Sequence, residues 1–400
     1  MSDLYRTPTL DLEDAHVIGQ IDAMRAHLAA NLRAPRRWVG GLRRTAQARA
    51  IQGSNSIEGY AVSNDDALAA VDDDEPMSAD ERTWAEILGY RQVLTYVLHM
   101  AGDPAFRVDA TVIRSMHFML LSHDLAKSPG QYRPGDIYVH SEATGERVYT
   151  GPDADFVPTL VDALVESIDE TADVAPVVRA AMAHLNLVMV HPFRDGNGRM
   201  ARALQTMVLA KSGIPEPIFS SIEEWLGHNT GDYYRILALT GAGAWHPERD
   251  PHLWVKFCLR AHHMQGQTME RRLHEATMLG GEIEGLLEAH GIPGRAFDPL
   301  FDAALGVRVR RSSYVRRSGI EERTASRDLK ALVDVGLLAA EGNTRGRFYL
   351  ASGALRRLAS ESRRRRAQLE DPYPWLVERI RADLSRLPPA GSLAPYGQSR

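Results

Sequence analysis

The chain has 400 residues, 44% of them hydrophobic and 25% charged, with a formal net charge of −5. That length suits two or three domains, the balance is that of a soluble globular protein, and no global basic charge argues for nucleic acid. The single cysteine, Cys258, excludes an intramolecular disulfide and fits a reducing cytosol. The opening residues lack the apolar core of a signal peptide, and no run of about 18 apolar residues predicts a membrane span. A cytoplasmic protein with no membrane partner is expected. Only Lys127, Lys211, Lys256 and Lys330 interrupt an otherwise all-arginine basic set, which reads as coding bias.

Residues 12–33 carry Val17, Ile18, Ile21, Met24 and Leu28 at helical spacing, and Pro35 ends that helix. A second helix is predicted from Trp38 to about Ile57, with Gly59 as its stop. Ser54 and Glu58 lie four apart near its end and share a face. Residues 62–82, with Asp72-Asp73-Asp74-Glu75-Pro76, read as an acidic, solvated loop. Helices are expected again at 83–101 and at about 109–122. The stretch 129–158 breaks the helical pattern: 136–140 and 146–150 are short β-like runs around Ser141–Gly145, so a β-hairpin is expected. Helices at about 156–170 and 174–190 follow.

After residue 210, Ser221–Leu239 reads as one helix carrying Tyr233 and Tyr234. Trp254 to about Met278 is a long helix that Gly280-Gly281 should stop or kink. His262 and His263 lie on it but face different ways, and no HExxH occurs, so no zinc site is assigned. Residues 291–294 open a new unit, and 301–350 reads helix, turn, helix, hairpin, which looks like a winged helix-turn-helix. Its arginines 308, 310, 311, 316, 317, 323, 327, 345 and 347 are candidates for DNA phosphates. Arg363–Arg366 reads as a solvated helical face, and the last dozen residues as disordered. No internal repeat is evident.

The chemistry concentrates in His191-Pro192-Phe193-Arg194-Asp195-Gly196-Asn197-Gly198-Arg199-Met200-Ala201-Arg202, a glycine-rich turn between two apolar helical runs. Gly196 and Gly198 admit close backbone approach, and the free amides opening the next helix favour a phosphate. Arg199 and Arg202 share a helix face and can reach successive phosphates. Asp195 is a hard oxygen ligand suited to magnesium, and His191 is a titratable base.

This stretch resembles the Fic family signature HPFx(D/E)GNGRxxR at every defined position. The resemblance covers roughly residues 40–270. It implies a mainly α Fic-type helical bundle with a β-hairpin flap, followed by the small winged-helix unit. The domains expected are 1–60 (N-terminal helices with an inhibitory helix), 61–285 (Fic core), 295–352 (winged helix) and 353–400 (helical tail, partly disordered). The activity implied is transfer of AMP from ATP, with Mg2+, to a hydroxyl side chain of a target protein, including auto-AMPylation.

In that reading His191 is the base and Asp195 the metal ligand. The amides around Gly196–Gly198 and the Asn197 side chain hold the α-phosphate, Arg199 and Arg202 the outer phosphates, and Arg194 counts with the phosphate-binding set. Phe193 anchors the loop. Ser54-Asn55-Ser56-Ile57-Glu58-Gly59 resembles the family's inhibitory motif, which implies a Glu58–Arg202 pair and autoinhibition. The run Gln131-Tyr132-Arg133 after Gly130 resembles the flap entry, and the flap implies target docking by strand addition. Tyr234 or Tyr233 is the candidate for stacking on adenine. A homodimer is the family-level expectation. Two other readings stay open: a DNA-binding regulator with the core as nucleotide sensor, and transfer of UMP or phosphocholine, or removal of AMP, by the same site.

Overall fold

The computed structural model describes residues 4–140, 147–170, 173–213, 221–343, 346–364 and 366–387. Helix α1 (Leu12–Leu32) starts on a capping box in which Asp11 and Asp14 each accept the other's backbone N–H. Helix α2 (Trp38–Ile57) ends on Glu58, with Gly59 at φ +83°. Helices α4 (Glu81–Met100), α5 (Ala110–Leu121), α6 (Val157–Glu170), α7 (Pro176–Val190) and α8 (Asn197–Lys211) follow where the hydrophobic spacing places them. Strands β1 (Tyr138–His140) and β2 (Arg147–Thr150) pair antiparallel, with Val139 opposite Tyr149. The connection between them lies outside the described residues, as do the last thirteen.

The acidic stretch 62–82 is not a plain loop, because it contains α3 (Asn64–Val71). Ser63 caps that helix by accepting the Asp66 N–H, and fully buried Asp66 accepts the Met77 and Ser78 amides. These acids are spent on structure. The predicted helix 221–239 is two, α9 (Glu223–His228) and α10 (Thr230–Gly241). The break falls at Asn229, whose side chain donates to the Trp225 carbonyl, so a local polar bond competes with the helix.

The Gly280-Gly281 stop does not occur: α11 runs unbroken from His252 to Ala289. Gly280 is where Trp38 of α2 packs in, and a Cβ there would sit 2.6 Å from the indole Cδ1. Tertiary packing outweighs the weak helix propensity of glycine.

Beyond α11 come α12 (Phe297–Ala304), β3 (Val309–Arg310), α13 (Arg311–Ser318), α14 (Glu322–Asp334), β4 (Leu338–Glu341) and β5 (Phe348–Ala351). The three strands form an antiparallel sheet in the order β3-β5-β4. Helix α15 (Gly353–Arg364) follows, and α16 (Leu376–Leu384) returns to α10 and α11.

Two hydrophobic cores result. One surrounds α7 and α8; the other joins α12–α14 to Trp38, Val39 and Leu42 of α2 and to α11. The two ends of α2 therefore belong to different cores.

Candidate active site

The site is the turn between α7 and α8. His191 closes α7 in the left-handed region, φ +52° and ψ +58°. Its Nδ1 lies 3.1 Å from the Val188 carbonyl oxygen. A carbonyl can only accept, so Nδ1 carries the hydrogen and Nε2 keeps its lone pair. Burial pushes the imidazole down to about 4, so it is neutral at pH 7.

The turn is braced from within. Phe193 is fully buried and stacks on His117, with ring centroids 3.7 Å apart. Asn197 accepts the Phe193 N–H at 3.0 Å and donates to its carbonyl at 2.9 Å. His117 accepts the Gly130 amide on Nδ1, which leaves Nε2–H to donate to the Asp195 carbonyl. Gly196, at φ +75°, is the left-handed residue that opens α8, where no side chain caps the first turn. The amides of that turn are therefore available to an anion.

Both signature arginines are buried and both meet a carboxylate. Arg199 pairs with Glu86 of α4, each 1% exposed. Arg202 donates Nε to Ser54 Oγ at 2.9 Å, and Nη2 to the Ser54 carbonyl at 3.0 Å and to Glu58 Oε1 at 2.6 Å. Burial alone would lower Arg202; the Glu58 carboxylate overrides it and raises the guanidinium above its ordinary value. Glu58 also overhangs the start of α8, since a Cβ on Gly198 would come within 2.6 Å of Glu58 Oε1. Asp195 accepts the Gly196 amide on Oδ1 at 2.7 Å and meets Lys127 Nζ on Oδ2 at 2.7 Å. Lys127 thereby offsets the burial that would raise its pKa and holds the carboxyl below its ordinary value.

The structure brings His191, Asp195, Gly196, Asn197, Gly198, Arg199, Arg202, Ser54 and Glu58 into one cluster, and leaves Arg194 exposed on the turn. Two expectations need correction. The Asn197 side chain is spent on the Phe193 backbone and is 2% exposed, so it braces the loop and is not available to a phosphate. Tyr233 is buried against His184, with its hydroxyl 2.9 Å from Nε2, so it cannot stack on a base. Tyr234 is 49% exposed and donates to the Ile57 carbonyl, one residue from Glu58.

Three contributors, His117, Glu86 and Lys127, were given no site role by the sequence, and Arg133, read there only as part of the flap entry, gains one. Arg133 donates to the carbonyls of His191, Gly135 and Pro152, tying the hairpin entry to the turn between α7 and α8. His117 supports the turn from α5. Glu86 and Lys127 bracket Asp195 and Arg199. Glu86 had a signal: an acid on the same helical stripe as Ile87, Tyr90, Val93 and Val97, where a charge belongs only if it is paired. Lys127 was visible as one of four lysines.

Residues 107–209 match the family model described as Fic/DOC family, so that stretch is similar to a Fic domain. The curated relatives include "Protein adenylyltransferase fic-1" of Caenorhabditis elegans, 31% identical over 137 residues, which are 34% of this chain and 24% of that protein. "Protein adenylyltransferase Fic" of Drosophila yakuba is 30% identical over 169 residues, 42% of this chain and 31% of that one. The chain thus spans about a quarter to a third of the length of these relatives. Among solved structures, a Fic family protein from Desulfovibrio desulfuricans G20 aligns over 87% of this chain and 99% of its own, with a TM-score of 0.55 at 21% identity. A Fic domain-containing signaling protein from Bacteroides thetaiotaomicron aligns over 64% of this chain and 97% of its own, with a TM-score of 0.50 at 20% identity. These likenesses establish the helical Fic fold. No helix among the described residues is long and apolar enough to cross a membrane.

Proposed function

We propose that the chain is an autoinhibited protein adenylyltransferase that moves AMP from ATP to a Tyr, Thr or Ser hydroxyl of a target protein or of itself. One observation carries the reading: a single turn joins a neutral imidazole with a free Nε2 lone pair to an uncapped helix start bearing two buried arginines. The names of the curated relatives point the same way.

His191 Nε2 takes the proton of the target hydroxyl as its oxygen attacks the ATP α-phosphorus in line, and pyrophosphate leaves. The first-turn amides of α8 receive the α-phosphate, and Arg199 and Arg202 the outer two. The Asp195 side chain, 40% exposed, already carries one cation in Lys127, and one carboxylate beside substrate phosphates is a donor set that suits magnesium. Asp195 would hold that ion, which would neutralise phosphate charge. Tyr234 of α10, half exposed with its hydroxyl on the end of α2, is the remaining candidate for adenine. The hairpin would register the target segment by strand addition.

Inhibition follows from the Arg202 contacts. Glu58 takes the guanidinium meant for the γ-phosphate and repels that phosphate, which leaves the α-phosphate out of line for attack. Removing the opposing charge from Arg202 requires that Glu58, at a helix end and 23% exposed, swing away, while the Ser54 contacts remain.

The unit from α12 to β5 has the element order of a winged helix, and it supports DNA binding less than the sequence suggested. Arg308, Arg310 and Arg316 meet Asp65 and Asp74, and Arg317 meets Asp302. The acidic stretch read as solvated is their partner. Arg311 pairs with Glu322, Arg345 lies outside the described residues, and Arg323, Arg327 and Arg347 remain exposed. This unit is better read as a scaffold docked on α2 and α3.

Intact-mass measurement of the Glu58→Gly protein after incubation with ATP and magnesium tests the transferase reading. An AMP adduct mapped to a hydroxyl side chain is expected. Adducts only with UTP or CDP-choline would reassign the donor, and no adduct with any donor, on itself or on lysate, would contradict the reading.

A further inference from the structure

Glu86 is a carboxylate buried inside the site that the proposed reaction leaves without a role. It is 1% exposed, in the middle of α4, and four groups converge on it. Its Oε2 takes Arg199 Nη1; its Oε1 takes the Tyr60 hydroxyl at 2.7 Å and Lys127 Nζ at 3.0 Å, with His123 Nε2 at 3.3 Å. Lys127 reaches on to Asp195 Oδ2 at 2.7 Å.

We propose that Glu86 is a positioning residue: it fixes Arg199 and Lys127 as two preset cations for the ATP phosphates. The proposal rests on the transferase reading and deepens it.

The number of contacts on each arginine separates Glu86 from Glu58. Glu86 engages Arg199 through Nη1, while Arg199 Nε is buried with no partner among the described residues. A buried guanidinium N–H without a partner costs stability until an oxygen arrives, so this arginine is held yet still has a donor to offer. Arg202 also keeps one buried donor, Nη1, without a partner among the described residues, but Ser54 and Glu58 hold it through three contacts on Nε and Nη2.

Placement separates them as well. Glu58 caps a helix end and is 23% exposed, whereas Glu86 sits mid-helix beside fully buried Ile87 and Tyr90 and has no way out. Glu58 can leave, and Glu86 must stay. Three cations (Arg199, Arg202 and Lys127) face three carboxylates (Glu58, Glu86 and Asp195). Departure of Glu58 alone therefore turns a balanced site into one with an excess positive charge suited to a polyphosphate.

The test is made on the full chain carrying Glu58→Gly, with and without Glu86→Gln. Binding of α,β-methylene-ATP with magnesium is read by calorimetry, beside steady-state transfer and thermal melting. Loss of the anchoring charge should raise both the analogue Kd and the KM for ATP about tenfold or more, with a smaller fall in kcat. Glu86→Asp should recover part of the affinity.

An unchanged Kd with a reduced binding-competent fraction would mean that Glu86 only supports the fold and would overturn the proposal. Tighter binding or faster transfer would make Glu86 a second lock and would also overturn it. Should Glu86→Gln not fold, Lys127→Met on the turn before the hairpin decides: weaker analogue binding with a shifted magnesium dependence is expected, and unchanged binding overturns the proposal. A Glu58→Gly parent that binds no analogue overturns the transferase reading and this proposal together. A parent that binds, matched by its Glu86→Gln derivative, overturns this proposal alone.

Discussion

Arg202 Nη2 stands 2.6 Å from Glu58 Oε1, a contact that joins α8 to the end of α2 across 144 residues of sequence. The same guanidinium also holds the Ser54 hydroxyl and carbonyl, so α2 claims two of its three nitrogens. Substituting Glu58 by Gly removes the charge and leaves the Ser54 contacts. AMP transfer should rise about 10- to 100-fold, the factor that roughly 1.4–2.8 kcal/mol supplies. Initial rates of label transfer check this, and equal rates in the two proteins would contradict it.

His191 is neutral well below physiological pH because burial pushes it down to about 4. A base works in its unprotonated form, so its limb of the pH profile should fall only as pH drops toward about 4. Between pH 6 and 8 kcat/KM should show no inflection from this group. A limb centred near 6.5, the ordinary histidine value, would contradict the assignment. His191→Ala should lack transfer at every pH while keeping nucleotide affinity.

Asn197 belongs to the stability of the turn. Its side chain closes both backbone groups of Phe193, and both residues are buried. Asn197→Ala leaves a buried donor and a buried acceptor without partners, a cost of about 2–4 kcal/mol. Denaturant unfolding should show that loss, and an unchanged midpoint would mean that the turn finds other partners.

Arg44 of α2 meets Asp72, after α3, and Asp302 of α12, and all three side chains are 10% exposed or less. Arg44→Leu leaves buried Asp72 without its ion-pair partner and Asp302 with Arg317 alone, a loss of about 3–5 kcal/mol. Because Arg44 and Glu58 share one helix, the same change should also loosen α2. A rise in transfer in the fraction that remains folded is expected, and destabilisation with no such rise would confine Arg44 to the fold.

What the sequence disclosed follows from the range of each signal. The span Trp38–Ile57 and the hairpin before α6 were legible because hydrophobic spacing, capping residues and turn residues act within a few positions. The turn from His191 to Arg202 was legible because its chemistry is contiguous. What was missed depends on partners far away in the chain. Asp65 and Asp74 looked solvated because the arginines they meet lie more than two hundred residues on. Gly280 looked like a break because Trp38, which packs against it, comes from another helix. Asn197 looked like a phosphate ligand, and the geometry of the turn directs it to Phe193 instead. Tyr233 and Tyr234 are adjacent and alike in sequence, and only packing separates the core residue from the exposed one.

The central claim is that one carboxylate, Glu58, withholds Arg202 from ATP in a site that is otherwise assembled. Transfer of the α-phosphate label of ATP, with magnesium, from wild type, Glu58→Gly and the double variant Glu58→Gly/His191→Ala tests it most directly. The account predicts faint label on wild type, strong label on Glu58→Gly and none on the double variant. Equal label on the first two, or label that survives loss of His191, would contradict it.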